Sequence, residues 1–390
     1  MDNQSDSDDE FNKTFIDDNA ILDKYQASAE VADKALAFVI EMCVPDADIA
    51  TVCKAGDVFI EAELKKVYCG KKTKSLERGI GSPTCICPNN ITLNYSPLLE
   101  ESKTMVEGDV ITIDLAAHID GYLSVSGTSM VVSSDKSKKI DGELANLMVA
   151  GKTALEAVVR TTIAGKTNED VTQVIADVAA AFGVSPVEGV QSHKHKKHVI
   201  DESDIIMNKL IPERRAEKYT FEQGDVFGVA VYLCIGEGKP MQTENRSTVF
   251  QRVIENTYML KSQAARDFFK EINERFPSFP FSITSFDDLT KAKLGVKHCE
   301  VNDLIEPHEV IALKDGNICV GFFATVAVLP SATSIISGNS NFDLSQFSPN
   351  KKIEDAELSS LLALSMTLKD QKKRNKKAKK EAKAEEEKKE

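Results

Sequence analysis

Apolar and polar residues alternate along the first part of the chain with the period of helices and then of strands. From Tyr25 to Val44 apolar residues recur at helical spacing until Pro45 stops the pattern, and a second helical stretch follows at about 48–67. Shorter apolar runs then predict strands at 84–93, 110–116 and 122–132.

The same order of elements occurs a second time. Helical patterns cover about 142–161 and 168–182, and a strong strand follows from Val226 to Ile235. The strand starts also match, because Glu107-Gly108-Asp109-Val110 precedes one strand and Gln223-Gly224-Asp225-Val226 the other. Two helices followed by strands, twice, predict a duplicated α+β unit whose sheets join around one central cleft.

The region that follows predicts one more helix and two strands. The helix covers about 252–275 and is closed by Pro277, and strands at 309–313 and 318–329 flank a turn at Asp315-Gly316. The run at 318–329 holds 12 residues, fewer than the ~20 that span a bilayer. It is therefore expected to be a buried strand, and no membrane insertion is expected.

The net charge of −13 averages over segments of opposite sign. Residues 1–22 are polar and acidic and are expected to form a disordered tail, followed by one domain at 23–349. A leucine-rich amphipathic helix is predicted at 350–368, and residues 369–390, with eleven basic and six acidic side chains, are expected to form a disordered lysine-rich tail. An acidic average argues against a nucleic-acid partner, but a local basic segment weakens that argument.

Cysteine usage bears on the compartment. Eight cysteines are scattered along 390 residues, which favours reduced thiols in the cytosol or nucleus. The N-terminus lacks the apolar segment of a secretory signal. We therefore expect the protein in the cytoplasm and nucleus, and its lysine-rich end is also compatible with the nucleolus.

Three motifs point toward metal chemistry without being sufficient for it. In His193-Lys194-His195-Lys196-Lys197-His198 the lysines repel a divalent cation, so a solvated basic strand edge or loop is the alternative. Asp109, Asp114 and Asp120 lie in and after one predicted strand, and paired carboxylates can hold two metal ions, but one such carboxylate alone cannot. Cys85-x-Cys87 has no second pair at zinc-finger spacing, and no P-loop, nucleophile elbow or dinucleotide fingerprint occurs.

Several separate motifs resemble one known family. Residues 108–115, His118 and Asp120-Gly121-Tyr122 look like the strand-and-hairpin signature of methionine aminopeptidases with the pita-bread fold. Together with Pro186-Val187-Glu188-Gly189, Ser192-His193 and His198-Val199-Ile200-Asp201, they resemble more closely the proliferation-associated, ErbB-receptor-binding protein family, which includes the curved-DNA-binding protein of fission yeast. The resemblance covers roughly residues 24–330 and implies a pita-bread fold with pseudo-two-fold duplicated halves.

The resemblance also allows each metal-ligand position to be compared. Active aminopeptidases hold two metal ions with two aspartates, one histidine and two glutamates. Asp114 matches the first aspartate, whereas the second falls at Val125 and the histidine at Val190. The glutamates fall at Ala230 and Phe323. Four of the five positions thus carry apolar side chains without a lone pair, which implies a pseudo-enzyme that needs no cofactor.

Two residues remain from the aminopeptidase site. Asp114 is expected to be a structural remnant, hydrogen-bonded or with a raised pKa if it is buried. His198 matches the second histidine of the aminopeptidases, which is not a ligand. The histidine that normally precedes a Tyr/Phe-Ser/Thr-Pro turn is Asn94, ahead of Tyr95-Ser96-Pro97.

Function is then expected to reside in surfaces. The predicted nucleic-acid-binding residues form a C-terminal set and a second basic patch: Lys372, Lys373, Arg374, Lys376, Lys377, Lys379 and Lys380, and Lys65, Lys66, Lys71, Lys72 and Lys74. A solvated tail and an ordinary charged loop are the alternatives. Leu358, Leu361 and Leu362 form a Leu-x-x-Leu-Leu motif that can dock in a partner groove or pack against its own domain.

Three functional hypotheses follow. The first, implied by the resemblance, is a non-enzymatic adaptor that binds ribosomal RNA and associates with ribosomes or pre-ribosomal particles, with a role in ribosome biogenesis, translation or growth regulation. The second is a DNA-binding transcription cofactor acting through the leucine motif, whose Leu361 and Leu362 would then be dispensable for folding. The third is a residual metallo-aminopeptidase using Asp114 and His198.

Overall fold

The computed structural model describes residues 14–71, 73, 75–135, 137–211, 213, 216–329, 332–338 and 342–364. Its helices are α1 (Asn19–Met42), α2 (Ile49–Leu64), α3 (Gly142–Thr161), α4 (Asn168–Phe182), α5 (Gln263–Arg275), α6 (Leu289–Val301) and α7 (Ala356–Leu362). No helix within these ranges is long and apolar enough to cross a membrane.

The strands of the first half and the start of the second are β1 (Arg78–Pro88), β2 (Ile91–Leu93), β3 (Val110–Ile119), β4 (Tyr122–Val131), β5 (Ile140–Asp141), β6 (Ser185–Pro186), β7 (Gln191–Lys194), β8 (Ile205–Met207) and β9 (Val226–Ile235). Later strands are β10 (Met241–Gln242), β11 (Val249–Arg252), β12 (Phe281–Ser282), β13 (Ile305–His308), β14 (Ile311–Ala312), β15 (Ile318–Leu329), β16 (Ala332–Ser337) and β17 (Phe347–Ser348).

One large sheet organises the molecule. Its main path is β1-β3-β4-β15-β9-β7-β8, with β16 added to β15 and β6 to β9. Helices α1 and α2 cover the outer face of the first half, and α3 and α4 cover that of the second half, each over its own apolar core. The opposite face of the sheet is left for the central cleft, as the predicted α+β architecture requires.

Local geometry confirms the predicted duplication. Gly108 and Gly224 precede β3 and β9 with φ of 92° and 100°, the left-handed region that glycine adopts without steric cost. Asp109 and Asp225 follow them, and each carboxylate accepts a hydrogen bond of 2.8 Å from the backbone N–H three residues earlier. The two halves therefore start their long strands in the same way.

A module inserted between β9 and β15 differs from its prediction. The expected helix at 252–275 begins only at Gln263, because 249–252 is the strand β11, paired with β12 and β13. Helix α6 was not predicted. The strand near 309–313 is β14, which pairs with β10 and β2 instead of forming a hairpin with β15. Aromatic and aliphatic side chains of the module form a core that also includes Leu98.

The N-terminal boundary also differs. Disorder is expected for 1–22, but the described chain is ordered from Thr14, and α1 begins at Asn19 with Asp18 as its N-cap. The reason is burial, because Phe15 and Ile21 are 3% and 4% exposed in a small apolar cluster that includes Tyr25. Residues 1–13 lie outside the described ranges.

The chain returns to the body at its C-terminal end. The helix predicted at 350–368 is α7, which covers only Ala356–Leu362, capped by Asp355. Residues 349–364, called the strap here, run along the outer face of α3 and α4. The predicted lysine-rich tail at 369–390 lies outside the described residues.

Candidate functional site

The cleft face of the sheet brings three of the predicted ligand positions into one row. Asp114 on β3 pairs with Gly127 on β4, Gly127 pairs with Phe323 on β15, and Phe323 pairs with Ala230 on β9. Paired residues of neighbouring strands point to the same side of a sheet. Asp114 and Ala230 also follow the matching Asp109 and Asp225 at the same interval, so they occupy equivalent places in the two halves.

The four apolar replacements share one hydrophobic cluster. Val190 and Phe323 are buried members of this cluster, and Val125 and Ala230 pack against it while remaining partly exposed. The fold therefore gathers the four positions as a metal centre would need, but it gathers apolar side chains. Removing this apolar surface from water contributes to stability.

The ring of Phe323 packs over Gly127, the residue that pairs with Asp114. A Cβ on Gly127 would come within 2.5 Å of the Phe323 ring, so only glycine leaves room for it. The ring also makes an edge-to-face contact with Tyr232, with centroids 5.6 Å apart. The isolated glycine in β4 is the sequence signal that could have revealed this close approach.

Asp114 is the carboxylate that remains in this row. It is half-buried, its Oδ1 is fully buried, and within the described residues that oxygen has no hydrogen-bond partner. Burial raises the pKa of Asp114 to about 7, the direction expected for a buried carboxyl group. Burial and the nearby Asp114 also raise the pKa of Tyr232 well above its usual value.

This carboxyl group makes stability depend on pH. Its folded pKa of about 7 lies above the ordinary value of 3.8. The contribution of the protonated Asp114 to the free energy of unfolding is therefore fully present below about pH 4 and is lost as the pH rises through 7. We expect Asp114→Asn to be more stable than the wild type at pH 8 and equally stable at pH 4. Urea titrations across this range test the prediction.

A second buried carboxyl group serves as the internal control. The pKa of Asp57 is also raised to about 7 by burial, so the wild type and the variant share that contribution. Only the difference between their pH profiles reports on Asp114. Parallel profiles from pH 4 to pH 8 would show that Asp114 ionises in the folded protein as easily as in the unfolded one.

His198, which matches the second, non-ligand histidine of the aminopeptidases, lies close to Phe279 of the inserted module. His118 and His198 both lie near Phe279, with ring centroids 4.1 Å and 6.1 Å from it. Burial, with a smaller contribution from His198, lowers the pKa of His118 to about 3, so it is neutral at physiological pH. Sequence reasoning missed Phe279 because the contact joins distant segments.

The histidine–lysine cluster is not a solvated basic edge, contrary to one sequence interpretation. Lys194 pairs with Asp225 at 2.9 Å and with Asp204 at 3.2 Å, and Lys196 pairs with Glu202 at 2.9 Å. These ion pairs hold β7 against its neighbours and neutralise the lysine charges.

The donor set does not fit a dinuclear metal centre. Within the described residues no group of three or more His, Cys, Asp or Glu side chains is arranged to hold a metal ion. Of the five compared positions only Asp114 offers an oxygen ligand, and the Phe323 ring lies on the same face. No catalytic step through a metal is therefore derived for this cleft.

The predicted basic surfaces are only partly described. Lys65, Lys66 and Lys71 are exposed after the end of α2, where Lys66 also pairs with Glu63. Lys72 and Lys74 lie outside the described residues, as do the C-terminal positions Lys372, Lys373, Arg374, Lys376, Lys377, Lys379 and Lys380. Their roles stay predictions.

The partner-binding interpretation of the leucine motif is corrected. Leu358 is 6% exposed, and Leu361 and Leu362 are partly buried against the apolar cluster to which α3 and α4 contribute. The three leucines hold the strap to its own domain because α3 and α4 expose a complementary apolar groove. They are not a free face for a partner.

Truncating these leucines is expected to destabilise the fold. Leu361→Ala with Leu362→Ala should lower the free energy of unfolding by about 1–3 kcal/mol, since partly buried methyl groups are lost. Leu364→Ala, a position 52% exposed, is the matched control and should change it by less than about 0.5 kcal/mol. Equal midpoints in urea for both variants would contradict the packing role.

Comparisons with known proteins agree with this geometry. The sequence profile of metallopeptidase family M24 matches residues 23–262. The structure of a thermophilic Arx1 superposes with a TM-score of 0.82 at 29% identity, covering 89% of this chain and 98% of that one. A methionine aminopeptidase from Thermotoga maritima superposes with a TM-score of 0.54 at 15% identity, covering 84% and 100%. The pita-bread fold is confirmed.

Curated relatives are similar over most of their length. Proliferation-associated protein A of Dictyostelium discoideum is 34% identical, covering 88% of both chains. ErbB-3-binding protein 1 of Solanum tuberosum is 34% identical, covering 88% of this chain and 87% of its own. The curved DNA-binding protein of Schizosaccharomyces pombe is 33% identical, covering 91% and 92%. The chain belongs to metallopeptidase family M24, in the group of proliferation-associated and ErbB-3-binding proteins.

Proposed function

We propose that this chain is a non-catalytic member of family M24 that binds structured RNA and associates with ribosomes or pre-ribosomal particles. The observation that carries the proposal is the row across the cleft. Where a metallopeptidase needs ligands, Phe323 and Ala230 continue the line from Asp114. Apolar side chains at these positions do not support metal-dependent hydrolysis, so we assign the function to surfaces outside the cleft.

The basic C-terminal segment supports RNA as the ligand. Residues 369–390 carry eleven basic and six acidic side chains, a net charge of +5, whereas the rest of the chain carries −18. Such a segment neutralises phosphates and releases their counterions, which gives affinity without sequence specificity. Lys65, Lys66 and Lys71 offer further cations on the folded body.

DNA is the second candidate ligand. One relative at 33% identity is named a curved DNA-binding protein, and phosphate contacts by lysines serve DNA and RNA alike. A transcription cofactor acting through the leucine motif is disfavoured, since Leu358, Leu361 and Leu362 pack against the domain. For the RNA-binding role we propose residence in the cytoplasm and nucleus, with the nucleolus as a site of assembly.

Two assays on the purified chain test the proposal. Binding to ribosomal RNA is measured by fluorescence anisotropy at a series of salt concentrations, with duplex DNA of equal length as competitor. Release of N-terminal methionine from peptides is measured with added cobalt, manganese, iron or zinc. We expect salt-dependent RNA binding and no turnover. Metal-dependent turnover, or RNA affinity no greater than that of an acidic control protein, would reject the proposal.

A further inference from the structure

The strap is attached to the body at both ends. Near its start, the backbone N–H groups of Asn350 and Lys351 donate to Oδ1 of the buried Asn146 at 3.0 and 3.2 Å. At its end, Nε of Arg160 donates to the carbonyl of Leu364 at 2.8 Å. Since Asn146 and Arg160 lie near opposite ends of α3, the strap runs along the full length of that helix.

A groove of about 1120 Å³ lies between the strap and the helices. Apolar residues that include Ile163, Val174 and Leu361 line it. Carboxylates stand along its length, from α4 on one side and from the strap on the other: Asp170, Asp177, Glu354, Asp355 and Glu357. The groove therefore combines apolar lining with acidic walls.

The lining cations stand toward the ends of this groove. Arg160 lies in the last turn of α3 and Lys166 just before α4, whereas Lys351 and Lys352 belong to the start of the strap, where Lys351 reaches Gly183 after the end of α4. Asp170, Glu354 and Asp355 stand near these cations, whereas Asp177 and Glu357 lie between the two ends, so the middle of the groove is negatively charged. A basic, partly apolar chain running lengthwise is the occupant that such a charge pattern favours.

The chain itself supplies such a segment at this place. Leu364 lines the groove, and 26 residues follow it, beginning Ser365-Met366-Thr367-Leu368-Lys369. Helix α4 has 15 residues, a length of about 22 Å that an extended run of about seven residues spans. Two apolar side chains followed by lysines match the apolar lining and the acidic walls.

We propose that residues 366–373 occupy this groove when no polyanion is bound, and that RNA releases them by competing for their lysines. The proposal rests on the proposed RNA-binding function and adds a regulation to it. The segment cannot bind the groove and RNA at the same time. The larger the fraction of chains whose groove is occupied by the segment, the lower the apparent affinity for RNA. Each lysine–carboxylate pair is solvent-exposed and weak, so RNA can displace the segment.

Zero-length carbodiimide crosslinking of the full chain tests the placement directly. We expect amide links between Lys369, Lys372 or Lys373 and Asp177, Glu354 or Glu357, identified by mass spectrometry and lost when RNA or high salt is added. An equal mixture of light and heavy isotope-labelled protein distinguishes links within one chain from links between two. Links only between chains, or none to these carboxylates, would overturn the proposal.

Neutralising carboxylates of the groove tests the predicted effect on RNA affinity. Asp177→Asn, Glu354→Gln and Glu357→Gln together should raise RNA affinity about fivefold in the full chain and leave it unchanged in a chain ending at Leu368. The matched control neutralises three exposed carboxylates elsewhere: Glu41, Glu255 and Glu300. An equal gain in the control, or in the shortened chain, would show a general charge effect and reject the groove.

The two proposals fail in distinguishable ways. If the full chain binds RNA through its tail but the groove variant binds no better, the regulation is wrong and the function stands. If the full chain does not bind RNA, the function is wrong whatever the crosslinks show.

Discussion

Removal of residues 369–390 is expected to weaken binding to ribosomal RNA by roughly 100-fold at physiological salt. Within this segment, Lys372, Lys373, Arg374, Lys376, Lys377, Lys379 and Lys380 provide seven cations with no acid among them. If about five of them contact phosphates, the slope of log affinity against log salt becomes less steep by about four. Anisotropy titrations at four or more salt concentrations measure both quantities.

Matched variants separate charge from chain length. Replacing the seven cations with Gln keeps the segment and should reproduce the loss, whereas replacing the lysines with Arg should retain the affinity, since phosphate contact without base readout requires only the charge. If the Gln variant binds like the wild type, the tail has no part in RNA binding. The basic patch at Lys65, Lys66 and Lys71 would then have to account for the affinity.

The hydrophobic periodicity of the sequence is sufficient to predict the long helices and strands of the duplicated body, because local residues mark where these elements begin and end. Helix α4 matches its predicted limits, and it starts at the capping box of Thr167 and ends at Gly183 in the left-handed conformation. Strand β15 also matches, because its 12-residue apolar run is buried on both faces. Such signals are local and can be recognised without knowing the tertiary structure.

The inserted module and the termini depend on contacts that no local pattern records. Helix α6 has three lysines beside or between its few buried positions, so its periodicity is weak. Phe15 orders part of an acidic segment through contacts with residues far along the chain, such as Tyr122. The leucine motif is recognisable in the sequence, but only the structure shows that its leucines pack against α3 and α4 of the same chain.

The sequence predicts which residues replace the metal ligands of the cleft, but not how their side chains pack. Resemblance located Val125, Val190, Ala230 and Phe323 as replaced ligands, and the structure gathers them in one cluster. It could not reveal that the Phe323 ring packs where Gly127 lacks a side chain, because that contact depends on the register between β4 and β15. Register follows from long-range pairing, which one sequence does not specify.

Restoring two carboxylates beside Asp114 is expected to create a metal-dependent fold. Val125 lies two residues before Gly127 and so on the same face of β4, and Phe323 pairs with Gly127. In Val125→Asp with Phe323→Glu, three carboxylates should converge. Without metal, their mutual repulsion and burial should lower the free energy of unfolding by several kcal/mol, on the order of the 3–5 kcal/mol seen for uncompensated buried charges.

Manganese should reverse this loss, because carboxylate oxygens are ligands that suit it. At a concentration about 100 times its dissociation constant, the ion should add about 2.7 kcal/mol to the free energy of unfolding, with no such gain in the wild type. Val125→Asn with Phe323→Gln controls for polarity, and adding Asp114→Asn to the carboxylate variant should reduce the gain. Equal manganese stabilisation with and without Asp114 would show that the row from Asp114 to Phe323 is not the former metal site.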